Sequence, residues 1–315
     1  MMNKSKLFYI TRKIVFALIR FSLIPYFSRE FIQRNKVTII VYHKINPKLA
    51  EIHFKYLKCA YNIIALSDYI LARKDKKYHL LPKKSLIITF DDGHKSNFFL
   101  KFTIDKCNIP VTIFLCGGIV GTNRHFWYED TDKLDISLLK SLDDTKRLEL
   151  LGSIGFKENK EYVDRQALTN EEIEEMKSIV EFQSHTMFHP ILTKCSDTKS
   201  YEEIYNSKIS LELKYNIYIN AIAYPNGDYS KREIEFAKEA GYECGLTLDP
   251  GSNTNFTDMY KLKRICIFDE DTINELIVKT SGIWGSIKYI SIMRMNKAIQ
   301  RWLKRRAAIV QTYLF

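Results

Sequence analysis

Three short polar clusters carry residue types that do chemistry. The first is Asp91-Asp92-Gly93, directly after an apolar run over 85–90. Adjacent carboxylates repel, and each is costly beside a buried strand unless a cation or hydrogen-bond donors meet it. Gly93 permits a tight turn there; the alternative is an exposed turn with solvated acids. The second cluster is Ser184-His185-Thr186-Met187-Phe188-His189-Pro190. Its two histidines share a face if the segment turns helically, and each offers a neutral ring nitrogen to a metal. A carboxylate with two histidines leaves zinc an open fourth position for water; an incidental histidine pair is the alternative. The third cluster is Tyr224-Pro225-Asn226-Gly227-Asp228. By itself this is a turn signal. A strained turn there would present the backbone N–H of Asn226 to a developing oxyanion.

Short apolar runs must position these clusters. Strands are expected over 38–43, 63–66, 85–90, 111–115, 180–184, 221–224, 244–248 and 262–267. Helices are expected over 54–60, 67–74, 95–106, 169–178, 197–215, 230–240 and 271–280, with Thr169 and Glu172 forming a capping box. Residues 119–168 read as an irregular insertion. Repeated strand–helix units imply a parallel sheet with helices outside, and seven to eight strands suggest a barrel. In such folds chemistry gathers at the C-terminal ends of strands, where all three clusters fall.

The chain has 315 residues, 46% hydrophobic and 27% charged, which rules out disorder and low complexity. Cys59, Cys107, Cys116, Cys195, Cys244 and Cys266 form no CxxC pair. That argues against a disulfide framework and a cysteine zinc site, and favours a reducing compartment. Net charge is 48 − 37 = +11, unevenly placed. Residues 1–36 and 283–315 each carry +7, so the body over 37–282 carries 11 − 14 = −3. A nucleic-acid binder would place its basic stripe on the folded body, so no nucleic-acid partner is expected. Basic ends mixed with apolar residues fit an anionic membrane surface. Ile292, Met295, Ile299, Trp302 and Leu303 fall at helical spacing, and Arg294, Lys297, Arg301, Lys304 and Arg305 lie about 200° around the helix. A helix packed on the body is the alternative. At the other end, the apolar run is broken by Arg20 and is too short for a membrane span. Lys6, Lys13 and Arg20 lie on nearly one helical line, as in an interfacial anchor; a frayed or core-packed helix is the alternative. The expected organisation is a basic segment over 1–36, a catalytic body over 37–282 and a basic amphipathic helix over 283–315. The expected location is the cytoplasm or the cytoplasmic face of a membrane, with an N-terminal anchor facing the envelope as the alternative.

Thr89-Phe90-Asp91-Asp92-Gly93, then the Ser184–Pro190 cluster, then Tyr224-Pro225-Asn226-Gly227 resembles the polysaccharide deacetylase family (the NodB homology domain, carbohydrate esterase family four). The similarity runs from about Thr38 to Asp269 and includes Tyr42-His43, Phe126-Trp127, Ala240-Gly241-Tyr242 and Lys263-Arg264-Ile265. The resemblance implies an α/β fold, a distorted (β/α)7 barrel, and a divalent metal, commonly Zn2+. By matching position it implies Asp92, His185 and His189 as ligands and Asp91 as general base. Asn226 would donate its backbone N–H, and Tyr224 and Trp127 would meet the substrate, with packing under the insertion the alternative for Trp127. The implied reaction frees acetate and an amino sugar from an N-acetylated glycan.

Two departures stand out. The family's third motif often carries an Arg that orients the base, and Ala223 stands there. The family's late Leu-x-His motif supplies the general acid, and Leu262-Lys263-Arg264 stands there. His43 is the candidate substitute acid, with a structural histidine as the alternative. His94 and His125 are expected at the surface, and Glu129 and Asp130 in a solvated loop or lining the cleft. The leading expectation is a metal-dependent N-deacetylase of a cell-envelope glycan. A variant deacylates or deformylates a lipid-linked sugar at the membrane. A reading of another class is an inactive glycan-binding barrel.

Overall fold

The computed structural model describes residues 4–129, 131 and 134–283, the first five by backbone alone. Asp130, and the helix expected over 283–315 beyond Ile283, lie outside the described residues. Among the described residues there are eight strands: β1 (Thr38–Tyr42), β2 (Asn62–Ile63), β3 (Ser85–Phe90), β4 (Thr112–Leu115), β5 (Glu181–Ser184), β6 (Ala221–Ala223), β7 (Cys244–Leu246) and β8 (Ile265–Cys266). Their order is β7-β6-β5-β4-β3-β1-β8, with β2 paired only to β3. Every pairing is parallel. A parallel bridge between Leu246 and Leu262 links the chain around β7 to the chain entering β8, so the sheet curls towards closure. β1, β3 and β4 are buried along their whole length, as strands covered on both faces must be. This is the expected α/β barrel.

Local signals account for most helix boundaries. The capping boxes Thr169/Glu172, Ser230/Glu233 and Thr272/Glu275 all form. Four helices matter below: α1 (Lys4–Phe21), α2 (Pro47–Ala60), α3 (Asp197–Tyr215) and α4 (Ile273–Thr280). α2 starts well before the expected residue 54, because Asn46 accepts from the Lys48 N–H at 3.0 Å and Pro47 sits in the first turn. The helix expected over 95–106 is a 3₁₀ stretch, Lys95–Leu100, running into an α-helix, Lys101–Cys107. The insertion is not irregular. It carries helices Ile136–Ser141 and Asp144–Gly152, capped by Asp135 and Asp143. Acids that read as loop composition are caps. The insertion has its own small core of Trp127, Leu139, Leu151 and Phe156 with Ile191.

The N-terminal segment is docked. Arg12 pairs with Asp271 at 2.5 Å and Glu275 at 2.7 Å, Arg20 donates to Asn274 at 2.5 Å, and Phe16 is buried. Arg20 therefore faces the body and not an outward cationic line.

His53 of α2 is fully buried, with Nδ1 3.2 Å from the Tyr42 hydroxyl. Burial pushes its pKa down to about 4. The unfolded imidazole takes its proton first as pH falls, near 6.5. This contribution is therefore present above pH 6.5 and is lost as pH falls to about 4, amounting to about 3 kcal/mol. Urea unfolding at pH 7 and pH 4.5 should show His53→Gln losing less stability on acidification than the wild type. Equal losses would refute this role.

Candidate active site

The parallel register brings the strand ends to one rim. The Asp91 N–H donates to Tyr42 at 3.0 Å, the His185 N–H to Leu115 at 2.8 Å, and the Tyr224 N–H to Leu246 at 3.0 Å. His43, Asp91-Asp92, His185 and Asn226 thus arrive at the same end of the barrel, from β1, β3, β5 and β6.

Asp92, His185 and His189 offer ligand atoms that all lie within 4.8 Å of one another, and all three residues are buried. Asp92 Oδ1 lies 3.5 Å from Nε2 of both histidines. Donors at zinc bond lengths in a tetrahedron stand about 3.4 Å apart. His185 Nδ1 lies 2.8 Å from the Ala223 carbonyl, an acceptor only, so Nδ1 carries the proton and Nε2 keeps its lone pair. Asp92 Oδ1 is buried with no hydrogen-bond partner among the described residues. A buried, orphaned carboxylate oxygen facing two imidazole nitrogens fits a divalent cation. Burial, with His185 beside it, pushes His189 down to about 3, the neutral form that ligates. Burial alone would raise Asp92, but His189, His43 and His185 hold its carboxyl below the usual range.

The backbone here is strained. Asp92, Thr186, His189 and Asn226 have φ of 74°, 67°, 58° and 57°, four of the nine non-glycine residues with positive φ among the described residues. Left-handed conformations at such residues cost of order 1 kcal/mol each and persist where surroundings enforce them. The enforcement is visible. Buried Glu203 of α3 accepts the N–H groups of Met187 and Phe188 at 2.9 Å each. Burial pushes its carboxyl up to about 7, even with Lys199 at 3.2 Å. The Trp127 indole donates to the His189 carbonyl at 2.8 Å. At Gly93, φ is 71°, and a Cβ would come within 2.7 Å of Leu115.

Asp91 is held differently. Arg264 donates to Oδ1 at 2.7 Å and to Oδ2 at 2.8 Å, and both side chains are buried. Arg264 precedes β8, and its long side chain runs up the barrel interior, bonding the Thr247 carbonyl at 3.0 Å on the way. Burial would raise Asp91, but the Arg264 guanidinium and His185 outweigh it and hold the carboxylate ionised. The arginine missing at Ala223 is thus supplied from across the barrel. The available signal is an arginine inside the apolar run 262–267, in the Lys263-Arg264-Ile265 element that shares the family resemblance but lacks the late histidine.

A cleft of about 360 Å³ opens above these groups. His43, Asp92, His189 and Asn226 line it, as do Trp127 and Tyr128. Lys140 of the insertion reaches Asn226 Oδ1 at 2.7 Å. Tyr128 was not foreseen; its hydroxyl is buried with no hydrogen-bond partner among the described residues. Phe268 completes the wall and is half exposed. Several expectations need correction. Tyr224 is fully buried, its hydroxyl 3.3 Å from the Tyr260 carbonyl, so it is a core residue and not a substrate contact. Of the two readings of Trp127, its contacts favour packing under the insertion: it lines the cleft but is nearly buried, with Arg147 4.8 Å over its ring, and its indole braces the His189 turn. His94 and His125 are buried, not at the surface. His94 caps Lys95–Leu100, and His125 stacks on Tyr162 with Nε2 3.0 Å from the Asp164 carbonyl. Glu129 pairs with Lys44.

A family model described as polysaccharide deacetylase matches residues 80–245. YxkH of Bacillus subtilis (strain 168) is 24% identical over 242 residues, covering 73% of this chain and 71% of that protein. A poly-beta-1,6-N-acetyl-D-glucosamine N-deacetylase of Staphylococcus aureus (strain MSSA476) is 23% identical over 250 residues, covering 76% and 73%. The structure of Streptococcus pyogenes deacetylase PplD in complex with acetate superposes with a TM-score of 0.58 at 22% identity, covering 78% of this chain and 98% of that one. At that identity the likeness speaks for the fold.

Two measurements test this geometry. Dialysis against Zn2+ should load about one ion per chain, and His189→Ala should weaken binding by about 100-fold or more; equal loading of the variant would remove His189 from the ligand set. Arg264→Met should cost about 3–5 kcal/mol, because it strands a buried carboxylate. Adding Asp91→Asn should return much of that loss, and strictly additive losses would show that the pair does not interact.

Proposed function

The chain belongs to the polysaccharide deacetylase family, and from that premise we propose that it removes N-acetyl groups from amino sugars of a cell-envelope polysaccharide or its lipid-linked precursor. It is a hydrolase of carbon–nitrogen amide bonds. The observation that carries the finer reading is the convergence of Asp92 Oδ1 with Nε2 of His185 and His189, beside a carboxylate gripped by Arg264. Asp92, His185 and His189 would hold one divalent ion, zinc by donor set. When bound, such an ion supplies Lewis acidity and a water acidic enough to attack near neutral pH.

The other steps belong to the chain's own residues. Asp91 accepts a proton from the attacking water at a carboxylate oxygen, and Arg264 fixes the carboxylate plane and keeps it charged. The water oxygen bonds to the acyl carbon. Asn226, in its left-handed turn, offers its backbone N–H to the oxygen on which charge develops. The C–N bond then breaks, the nitrogen takes up a proton, and acetate and an amine result. His43 lines the cleft and serves as the acid. Trp127 and Tyr128 form an apolar wall that limits water.

The Staphylococcus aureus relative, by its name, supports an N-acetylated glycan as partner. The basic ends support a lipid-linked sugar as the variant substrate, with membrane contact through both termini. The six cysteines, none of them in a disulfide among the described residues, support the cytoplasmic face of that membrane. Arg264 removes one ground for the inactive glycan-binding reading, since the base is oriented after all.

Amine release from N-acetylglucosamine oligomers by the zinc-loaded chain is the test. Asp91→Asn should lower the rate by about 1,000-fold while zinc stays bound. Undiminished release by that variant would sink Asp91 as the base. No release by the loaded wild type would favour the glycan-binding reading.

A further inference from the structure

α1 is amphipathic the wrong way round. Its arginines turn inward, Arg12 onto Asp271 and Glu275 and Arg20 onto Asn274, with Phe16 buried between them. Its apolar residues turn outward. Ile14, Leu18 and Phe21 follow helical spacing on the far side and are 55%, 68% and 73% exposed. The ridge continues through Ile24, Phe27 and Phe31, all more than half exposed, with Phe27 and Phe31 stacked at 5.9 Å. Twelve of the twenty-five large exposed apolar side chains among the described residues lie within residues 9–32. Apolar residues scattered singly need no partner, but a contiguous ridge marks an interaction surface.

We propose that this ridge lies in the surface of an anionic lipid bilayer and braces the cleft at that surface. Charge selects the occupant. Of the eight basic residues in 1–36, Arg12 and Arg20 face the body and Arg29 is engaged by Glu30 at 2.8 Å, the one acid, which Lys84 also meets at 3.0 Å; Lys13, Arg34 and Lys36 are the described ones left at the surface. A cationic rim repels a second copy of itself and attracts anionic headgroups. The second basic end departs from the same place. The Ser28 hydroxyl donates to the Ser281 carbonyl at 2.7 Å, and Gln33 packs over Gly282. Residues 283–315 then add seven basic residues and no acid. No described helix is long and apolar enough to cross a membrane.

The ridge is coupled to the cleft. Asp271, which binds Arg12, accepts the Phe268 N–H at 2.8 Å, and Phe268 lines the cleft. A bilayer under α1 therefore lies beside the stretch that forms the cleft wall. This orienting role rests on the deacetylase reading of the cleft; the lipid contact does not.

The test is flotation of the full chain with vesicles of phosphatidylcholine alone or mixed with phosphatidylglycerol. Binding should need the anionic lipid and weaken with added salt. Leu18→Glu with Phe21→Glu, and separately Phe27→Glu with Phe31→Glu, should each lower partition by about tenfold or more. Both pairs are exposed, so thermal unfolding and amine release from soluble oligomers should be unchanged. Undiminished partition of both variants would overturn the proposal. So would a dimer in solution that these substitutions dissolve, with no vesicle binding by the wild type. Partition is read without substrate, so its failure faults the surface and spares the deacetylase reading, whereas failed amine release does the reverse.

Discussion

Two neighbouring buried carboxylates at the barrel mouth are the constraint around which the rest is arranged. Asp91 and Asp92 leave β3 side by side, both buried, so like charges meet where water cannot screen them. Each needs its own compensation. Asp91 has the forked guanidinium of Arg264, whose planar donors match a carboxylate two for two. Asp92 Oδ1 has no hydrogen-bond partner among the described residues and faces two imidazoles with which it could hold a cation. The division of labour follows: the carboxylate satisfied by protein is positioned, and the one left open is a candidate ligand for an ion.

The scaffold holds this arrangement by rigidity at some cost in backbone strain. Strands buried on both faces set the height of each cluster, and four left-handed residues aim them. Glu203 and Trp127 then tie the histidine turn to α3 and to the insertion. The insertion lines the cleft with Trp127, Tyr128 and Ile136 and reaches Asn226 through Lys140. It is better understood as part of the site than as a loop beside it.

The same body anchors a helix whose polarity is reversed. Buried Asp271, just before α4, and Glu275 within it draw in Arg12, Asn274 takes Arg20, and the outer side of α1 is left apolar. One cluster of ion pairs thus fixes both the orientation of that helix and the stretch leading to Phe268.

The sequence alone determined what depends on neighbours along the chain. Eight apolar runs gave eight strands, the capping residues Thr169, Ser230 and Thr272 opened helices, and three clusters fell at strand ends, because periodicity and capping are local. The tertiary structure decided what depends on distant partners. Arg264 meets Asp91 across 173 positions, so no spacing rule reveals it. Tyr224 looked like a cleft residue until β7 and Tyr260 closed over it. Whether α1 turned its arginines or its apolar residues outward depended on Asp271 and Asn274, both more than 250 residues away. Local pattern chooses the element and its end; only packing chooses which side chain meets which, and burial then sets its charge.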